Sequence, residues 1–246
     1  MLFVTVSHRT KQAVKLFVLL VCVVALARVG LAITNGELAV VGRLQPIRNV
    51  TGAGDRVAVT FDISWGEVMP PKVLAVLKEY GVTCTFFLSG PWASSHPELV
   101  SDIVRDGHEI ASHGYRHVNM STLTKEAIEE NIKQAHEAIK EASGVEPDLL
   151  RPPNGDYNNL VIETAQGLGY KVIEWGLDSH DWMNPGVTYI VKRVLDRAKS
   201  GDIVLMHASD TCRQTDQALP AILEGLAAKG VKVVTVGELL EGAGTD

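Results

Sequence analysis

The sequence predicts an α/β protein in which short strands alternate with helices, arranged as a distorted (β/α)7 barrel. The strand segments are nearly continuously apolar, which is typical of parallel strands buried on both faces. Most are followed by a stretch with the apolar spacing of a helix. The same alternation fits an open doubly wound sheet, but about seven units in a chain of 246 residues favour a small barrel.

Turn and cap residues mark the boundaries of the predicted elements. Pro70 and Pro71 open a helix that Gly81 ends, and Thr124 caps a helix that Gly144 ends. The predicted strands are Val57–Phe61, Val82–Leu88, Glu109–Ser112, Leu149–Leu150, Lys171–Trp175, Ile203–Met206 and Lys232–Val236. The predicted helices cover residues 70–80, 97–106, 125–142, 161–168, 189–198 and 218–228, before a short turn at 238–241.

The first part of the chain has the pattern of an export segment. Basic residues up to Lys15 precede an apolar run at residues 16–27, which matches a secretory signal better than a membrane span of about 20 residues. Arg28 could lie at the outer interface of an uncleaved anchor. We therefore expect residues 1–33 to be a signal peptide or membrane anchor that contacts the membrane. Residues 34–55 would be a linker that contains one edge strand at 44–50. Residues 56–241 would form an exported domain, either secreted or held at the cell surface.

Composition excludes several classes of protein. The net charge is −6, whereas a nucleic-acid binder would show a basic face. No glycine-rich phosphate loop is present, which argues against a nucleotide enzyme. Three cysteines are too few for a disulfide scaffold, and nothing in the sequence supports pairing Cys84 with Cys212. We expect the chain to act as a monomer.

Polar residues collect at the ends of the predicted strands, where the reactive groups of such folds lie. His113 and His117 stand four apart across a glycine, a spacing at which two neutral imidazoles can face one divalent ion. Two satisfied loop histidines would give the same pattern. The complete set of strand-end residues is Asp62, His113, His117, Arg151, Asp178, Asp181 and His207. Asp178 could cap the following segment as easily as serve a site.

Five ordered motifs resemble the polysaccharide deacetylases, the NodB-homology group also called carbohydrate esterase family 4. The motifs are Thr60-Phe61-Asp62, Ser112-His113-Gly114-Tyr115-Arg116-His117, Arg151-Pro152-Pro153-Asn154-Gly155, Asp178-Ser179-His180-Asp181-Trp182 and Leu205-Met206-His207. The resemblance spans about residues 56–240, and the wording at 60–66 is similar to the sporulation-associated branch of the family. It implies a NodB-like distorted barrel and metal-dependent removal of N-acetyl groups from polymeric sugars.

The resemblance also implies roles for individual residues. Asp62 would be the general base, and Arg151 would keep it ionised and oriented. His113 and His117 would hold a divalent metal, zinc first and cobalt or manganese as alternatives. His207 would protonate the leaving amine. Asp181 would tune the pKa of this acid, and the backbone N–H of Asn154 would stabilise the oxyanion. The residues implied to bind substrate are Asn154, Trp182, Leu205 and Tyr115.

One position departs from the family pattern. Most members have a second aspartate directly after the base, where it completes an Asp-His-His metal site, and this chain has Ile63 there. Isoleucine cannot be a ligand, so the ion would keep two imidazoles and water, unless Asp62 turned to bind it and left the role of base to another group. In both cases we expect lower metal affinity. The preferred hypothesis is a cell-wall polysaccharide N-deacetylase, with peptidoglycan ahead of chitin or xylan. The alternatives are a glycan-binding member that has lost catalysis and a different metallohydrolase on the same barrel.

Overall fold

A computed structural model describes residues 8–34 and 42–241, and the chain divides into two compact units, residues 1–43 and 44–246. In the first unit, helix α1 (His8–Thr34) contains a 20-residue stretch from Arg9 to Arg28 with a mean hydropathy of 1.9. By length and composition this stretch could cross a membrane. The predicted apolar run lies within it, while residues 1–7 and 35–41 lie outside the described part of the chain.

The second unit contains a curved sheet in which every strand pair is parallel, and this confirms the predicted distorted barrel. The strands are β1 (Arg56–Ile63), β2 (Thr85–Leu88), β3 (Glu109–Ser112), β4 (Leu149–Leu150), β5 (Lys171–Val172), β6 (Leu177–Asp178), β7 (Ile203–His207) and β8 (Lys232–Val234). Their order is β5-β4-β3-β2-β1-β7-β6, and β8 pairs with the first half of β1.

Helices lie between successive strands, as the apolar spacing predicts. They are α2 (Met69–Tyr80), α3 (Gly90–Ser95), α4 (Pro97–Arg105), α5 (Lys125–Ser143), α6 (Asn159–Gly167), α7 (Val187–Arg197), α8 (Thr215–Ala228) and α9 (Val236–Glu241). Thr124 caps α5 by accepting a hydrogen bond from the Ala127 N–H, and Gly144 ends it with a φ of 72°.

The sequence prediction differs from the structure at several elements, and it makes the strands observed as β2 and β5 too long, as Val82–Leu88 and Lys171–Trp175. It missed α3 and β6, which are only six and two residues long. It also extended the last strand to Val236, whereas β8 ends at Val234. The reason is local, because the Thr235 hydroxyl accepts a hydrogen bond from the Glu238 N–H and starts α9 instead.

Alternation along β1 sorts its side chains between two environments. Val57, Val59, Phe61 and Ile63 belong to the apolar layer that the sheet forms with the surrounding helices. The residues between them face the barrel interior, where Ala58 packs in a second apolar cluster. Because side chains alternate along a strand, Thr60 and Asp62 lie above Ala58 on this inner face. The alternation therefore places Asp62 at the carboxyl end of the barrel interior.

The segment before β1 packs against the barrel. Residues predicted as an edge strand form only isolated bridges, Ile47 with Ile173 and Asn49 with Asp202. The Val50 N–H donates to the Gly201 carbonyl over 2.8 Å. Gly201 has a φ of 82°, and a Cβ at this position would lie 1.9 Å from the Val50 carbonyl oxygen. The compact unit thus begins at Leu44, twelve residues before β1.

We predict that Gly201→Ala destabilises the protein much more than Gly169→Ala. Both glycines have positive φ, 82° and 86°, but a Cβ at Gly169 would meet no atom within 4 Å. The backbone cost of about 1–2 kcal/mol is common to both variants, so the Gly201 clash should add roughly 2 kcal/mol or more. Urea unfolding measures the difference. If both variants lost the same free energy of unfolding, the close contact between Val50 and Gly201 would contribute nothing to stability.

Candidate active site

A cavity of about 410 Å³ opens at the carboxyl ends of the strands. Its walls come from β1, β6 and β7 and from the loops that follow the strands. The lining residues are Asp62, Ser64, Trp65, His113, His117, Asn154, Trp175, Asp178, Trp182, Leu205, His207, Ser209, Thr211 and Cys212. Most of the residues predicted for the site therefore line one cavity.

The base of the cavity is an ion pair between Asp62 and Arg151. Arg151 Nη1 donates to Asp62 Oδ1 over 2.7 Å and to the Thr60 hydroxyl over 2.9 Å. The guanidinium is fully buried and lies 4.0 Å from the centre of the Phe87 ring. Burial alone would raise the pKa of Asp62, but the charge and hydrogen bond of Arg151, together with the nearby His113 and His207, outweigh it and hold the pKa below its usual value. Asp62 is therefore ionised and fixed in position.

The two histidines lie beside this ion pair. His113 Nδ1 lies 2.8 Å from the Arg151 carbonyl oxygen, so Nδ1 carries the proton and the lone pair is on Nε2. Nε2 is 3.7 Å from Asp62 Oδ2. The His117 ring is 5.3 Å from the His113 ring, centre to centre, and its outer side meets the edge of Trp65. Burial lowers the pKa of His113 to about 4 and also lowers that of His117, so both rings are neutral at pH 7.

The neutral imidazoles of His113 and His117 are suitable ligands for a divalent ion, but a catalytic metal site usually has one more protein ligand than this pair provides. Ile63 is fully buried in the apolar layer on the helix side of β1 and does not line the cavity. Catalytic zinc sites usually have three protein ligands. Within the described residues, only Asp181, His207 and Cys212 bring three such donor atoms within 4.8 Å of one another. The His113–His117 pair thus supplies two ligands, with Asp62 beside them.

His207 is paired with Asp62 at the end of the neighbouring strand β7 and is held by Asp181. Its Nδ1 is 2.8 Å from Asp181 Oδ1, and its backbone N–H donates to Oδ2 over 2.7 Å. The Thr215 hydroxyl also donates to Oδ2, so the buried carboxylate is fully bonded. Although burial lowers the pKa of His207, the charge and hydrogen bond of Asp181, together with the charges of Asp62 and Asp178, outweigh it and raise the pKa. His207 therefore retains a proton more readily than a free histidine.

The grouping of Asp181, His207 and Cys212 has an explanation that does not involve a metal. The Asp181 oxygens already accept hydrogen bonds from His207 and Thr215. Burial raises the pKa of the Cys212 thiol to about 12, so this sulfur stays protonated and is a poor ligand. Cys84 and Cys212 are both free cysteines.

Three of the four predicted substrate-binding residues line the cavity: Asn154, Trp182 and Leu205. Asn154 has a φ of 61°, in the left-handed region, and its side chain donates to Asn119. Tyr115 is not among the lining residues, because its ring packs at Gly90, where an added Cβ would lie 2.5 Å from Tyr115 Cδ2. Asp178 lines the cavity and also caps the following turn by accepting from the His180 N–H.

Sequence reasoning assigned no role to three residues that support the site. Thr60 stands two residues before Asp62, so strand periodicity places it on the same face of β1, and this signal was available. Thr215 lies before the predicted start of its helix, where no pattern marks it. Glu174 is 1% exposed and lies behind the cavity, with the Arg151 guanidinium reaching its carbonyl oxygen at 3.5 Å. In the sequence, Glu174 is a single polar residue within the predicted strand Lys171–Trp175, and nothing in that pattern assigns it a role.

Comparison with known families agrees with this geometry. Residues 49–173 match the family model described as polysaccharide deacetylase. The chain belongs to the polysaccharide deacetylase family. Enzymes of this family are hydrolases that remove N-acetyl groups from polysaccharides and generally depend on a metal ion.

Two relatives of this polysaccharide deacetylase family member come from Bacillus. The chain is 40% identical over 187 residues to a peptidoglycan-N-acetylglucosamine deacetylase of Bacillus cereus, covering 75% of this chain and 87% of that protein. It is 34% identical over 200 residues to the uncharacterised protein YlxY of Bacillus subtilis, covering 80% of this chain. The chain spans only 62% of the length of YlxY.

A similar solved structure belongs to the same family. BA3943 of Bacillus anthracis, a carbohydrate esterase family 4 pseudoenzyme, has a TM-score of 0.77 and is 30% identical, covering 82% of this chain and 71% of that chain. A mutant of that protein with restored enzymatic activity matches this chain equally well, with a TM-score of 0.77. This chain is therefore similar in structure both to the pseudoenzyme and to its mutant with restored activity.

We predict that Glu174→Gln stabilises the protein at pH 8 and leaves its stability unchanged at pH 4.5. Burial raises the pKa of Glu174 from near 4.5 to about 7. In the wild type, the folded state is protonated in this window while the unfolded state is not, so stability falls as pH rises from 4.5 to 7. Because Glu174→Gln cannot ionise, its free energy of unfolding at pH 8 should exceed that of the wild type by about 2–3 kcal/mol, measured by urea unfolding.

Glu163→Gln provides the control, because Glu163 is exposed on α6. Its free energy of unfolding should follow that of the wild type at both pH values. If Glu174→Gln shifted stability equally at pH 4.5 and pH 8, the carboxyl group would not be protonated in the folded protein.

Proposed function

We propose that this chain is a metal-dependent hydrolase that removes N-acetyl groups from cell-wall glycan, with a metal held less firmly than a three-ligand site would hold it. The observation that carries the proposal is that a fixed carboxylate and a proton-bearing imidazole line the same cavity. Asp62 is held by Arg151, and His207 is held by Asp181. Amide hydrolysis needs a base for the attacking water and an acid for the amine that leaves.

Asp62 is suited to accept the proton of the attacking water. Its carboxylate is ionised, and Oδ2 faces His113 Nε2 while Oδ1 is engaged by Arg151. The backbone N–H of Asn154 would donate to the oxygen that becomes negative as the acetyl carbonyl is attacked. The left-handed backbone at Asn154 sets the direction of that N–H.

His207 is suited to protonate the nitrogen that leaves. Its Nδ1 is fixed on Asp181, so Nε2 is the atom left to carry a proton to the substrate. Leu205 and Trp182 would form the apolar wall around the acetyl methyl group, because both line the cavity. The base and the acid thus lie side by side in one cavity, because Asp62 and His207 are paired residues at the ends of the neighbouring strands β1 and β7.

His113 and His117 would hold the divalent ion, zinc in our proposal, with cobalt or manganese as alternatives. When bound, such an ion lowers the pKa of water towards about 7 and polarises the acetyl carbonyl. Both imidazoles are neutral near pH 7, which is the state that binds a metal. The missing third ligand predicts weak rather than absent binding.

We infer that the substrate is peptidoglycan. Relatives of this chain are peptidoglycan-N-acetylglucosamine deacetylases, and a glycan outside the cell requires an exported enzyme. Helix α1 supports export, either as a cleaved signal or as a retained anchor. We propose that the protein acts during sporulation, because the sequence of residues 60–66 resembles the sporulation-associated branch of the family.

A second candidate function is glycan binding without turnover. Ile63 favours it, together with the similarity to the pseudoenzyme BA3943. In this case the cavity would hold a sugar through Trp182 and its polar neighbours, and no metal would be required. The two candidates make different predictions for a chelator.

We predict that Ile63→Asp raises zinc affinity by at least about tenfold and raises acetate release with it, because a carboxylate is costly in the apolar layer and would turn at the end of β1 towards the histidine pair as a third ligand. Ile63→Asn is the matched control, since it has nearly the same shape as aspartate but no charge. Isothermal titration with zinc and an acetate assay on N-acetylglucosamine oligomers measure both effects. Thermal unfolding monitors the cost of placing a polar group in the apolar layer.

If Ile63→Asp remained folded, bound zinc no better than Ile63→Asn and released no additional acetate, position 63 would not be the limiting defect. A wild-type protein that releases acetate with added zinc supports the hydrolase directly.

We also predict that a chelator abolishes acetate release by the wild type while leaving oligosaccharide binding largely intact, because the cavity walls do not depend on the ion. Binding without any acetate release, with or without zinc, would favour the second candidate. The measurement is calorimetric titration of an N-acetylglucosamine tetramer with and without EDTA.

A further inference from the structure

Three aromatic rings form a row on the surface beside the cavity. The row consists of Trp182, His180 and Tyr189, with His180 in the middle. The His180 ring centre is 6.4 Å from that of Trp182 and 6.2 Å from that of Tyr189, and the His180 and Tyr189 planes are inclined by only 18°. Trp182 is 51% exposed and Tyr189 is 46% exposed. We call these three residues the aromatic row.

The aromatic row begins at the cavity and leads away from it. Trp182 lines the cavity, whereas His180 and Tyr189 do not. Asp178 lines the cavity next to Trp182 and lies 3.3 Å from the indole Nε1, which donates to its carboxylate. A polymer with one unit in the cavity would therefore meet the row with an adjacent unit.

The segment that carries the aromatic row is held in a strained conformation. His180 and Asn184 have positive φ values of 62° and 51°, which are uncommon for residues other than glycine. The His180 N–H donates to Asp178 over 2.7 Å, and the Asn184 side chain bonds the backbone of Thr211 and Arg213. A surface that is already ordered loses less entropy when a ligand binds.

The chemistry of the aromatic row suits a sugar ring. Trp182 and Tyr189 expose apolar ring surface, while the polar atoms of the row hold the rings in place: Trp182 Nε1 donates to Asp178, and the Tyr189 hydroxyl lies 3.3 Å from His180 Nδ1. A pyranose has the complementary pattern, with C–H groups on its face and hydroxyl groups around its rim. The net charge of −6 disfavours the other surface that exposed aromatic residues can contact, an anionic lipid bilayer.

We propose that the aromatic row is a carbohydrate subsite that binds the sugar adjacent to the one in the cavity and so selects polymeric over monomeric glycan. This inference rests on the proposed function in one respect, namely that the cavity binds a glycan. It does not require turnover and holds equally if the chain only binds sugar.

The test is calorimetric titration of the purified full-length chain with N-acetylglucosamine oligomers of one to five units. Tyr189→Ala removes the outer ring, and Tyr189→Phe keeps the ring but loses the hydroxyl. Val145→Ala is the control, because Val145 is also exposed but lies before β4, at the opposite end of the strands. Thermal unfolding checks that the variants are folded.

We expect wild-type affinity to rise with oligomer length. Tyr189→Ala should bind the longer oligomers about tenfold more weakly and the shortest oligomers normally, as loss of one stacking ring implies. Tyr189→Phe should retain most of the affinity, and Val145→Ala all of it.

Two results would overturn the proposal in distinguishable ways. If Tyr189→Ala binds every length as the wild type does, the aromatic row is not a subsite although the cavity still binds glycan. If the wild type binds no oligomer of any length, the glycan-binding cavity itself is wrong, and the subsite fails with it. Binding to phosphatidylglycerol vesicles that Tyr189→Ala abolishes, without an effect on oligomers, would assign the row to a membrane instead.

Discussion

The buried guanidinium of Arg151 organises the candidate active site. A fully buried charge is costly unless it is paired and hydrogen-bonded. Arg151 meets this requirement with Asp62, Thr60 and the face of Phe87, which come from two neighbouring strands. Its own carbonyl oxygen accepts from His113 and thereby fixes which nitrogen of that ring faces the cavity. One residue directly after β4 therefore positions both the Asp62 carboxylate and the His113 ring.

Strand alternation explains why adjacent residues of β1, Asp62 and Ile63, lie in different environments. Asp62 faces the barrel interior and Ile63 faces the helices, because successive side chains on a strand point to opposite sides. An isoleucine at position 63 extends an apolar series that already contains Val57, Val59 and Phe61. Burying such a side chain contributes roughly 2 kcal/mol to stability. The substitution therefore favours the core at the expense of the metal.

Much of the fold and of the site follows from sequence because short-range patterns determine it. Apolar spacing, proline and glycine positions and the Thr124 cap gave most elements, and strand ends gave the cavity residues. The failures have physical reasons. Segments as short as α3 and β6 carry too few residues for a period to show. The inward position of Glu174 and the outward packing of Tyr115 depend on tertiary neighbours, Arg151 and Gly90, that no local pattern identifies.

The arrangement separates what metal binding requires from what sugar binding requires. The metal would depend on His113 and His117, which follow β3, and on the residue at position 63, the last of β1. The acid, Asp181 with His207, is held by β7 and Thr215 and has no bond to the histidine pair. Trp182 follows Asp181 directly, so the turn that contains Asp181 also presents the Trp182 ring to the cavity. Because these contacts are separate from the histidine pair, a weaker metal site would leave this part of the cavity formed, and under the proposed function the chain would keep a glycan in place even where hydrolysis is slow.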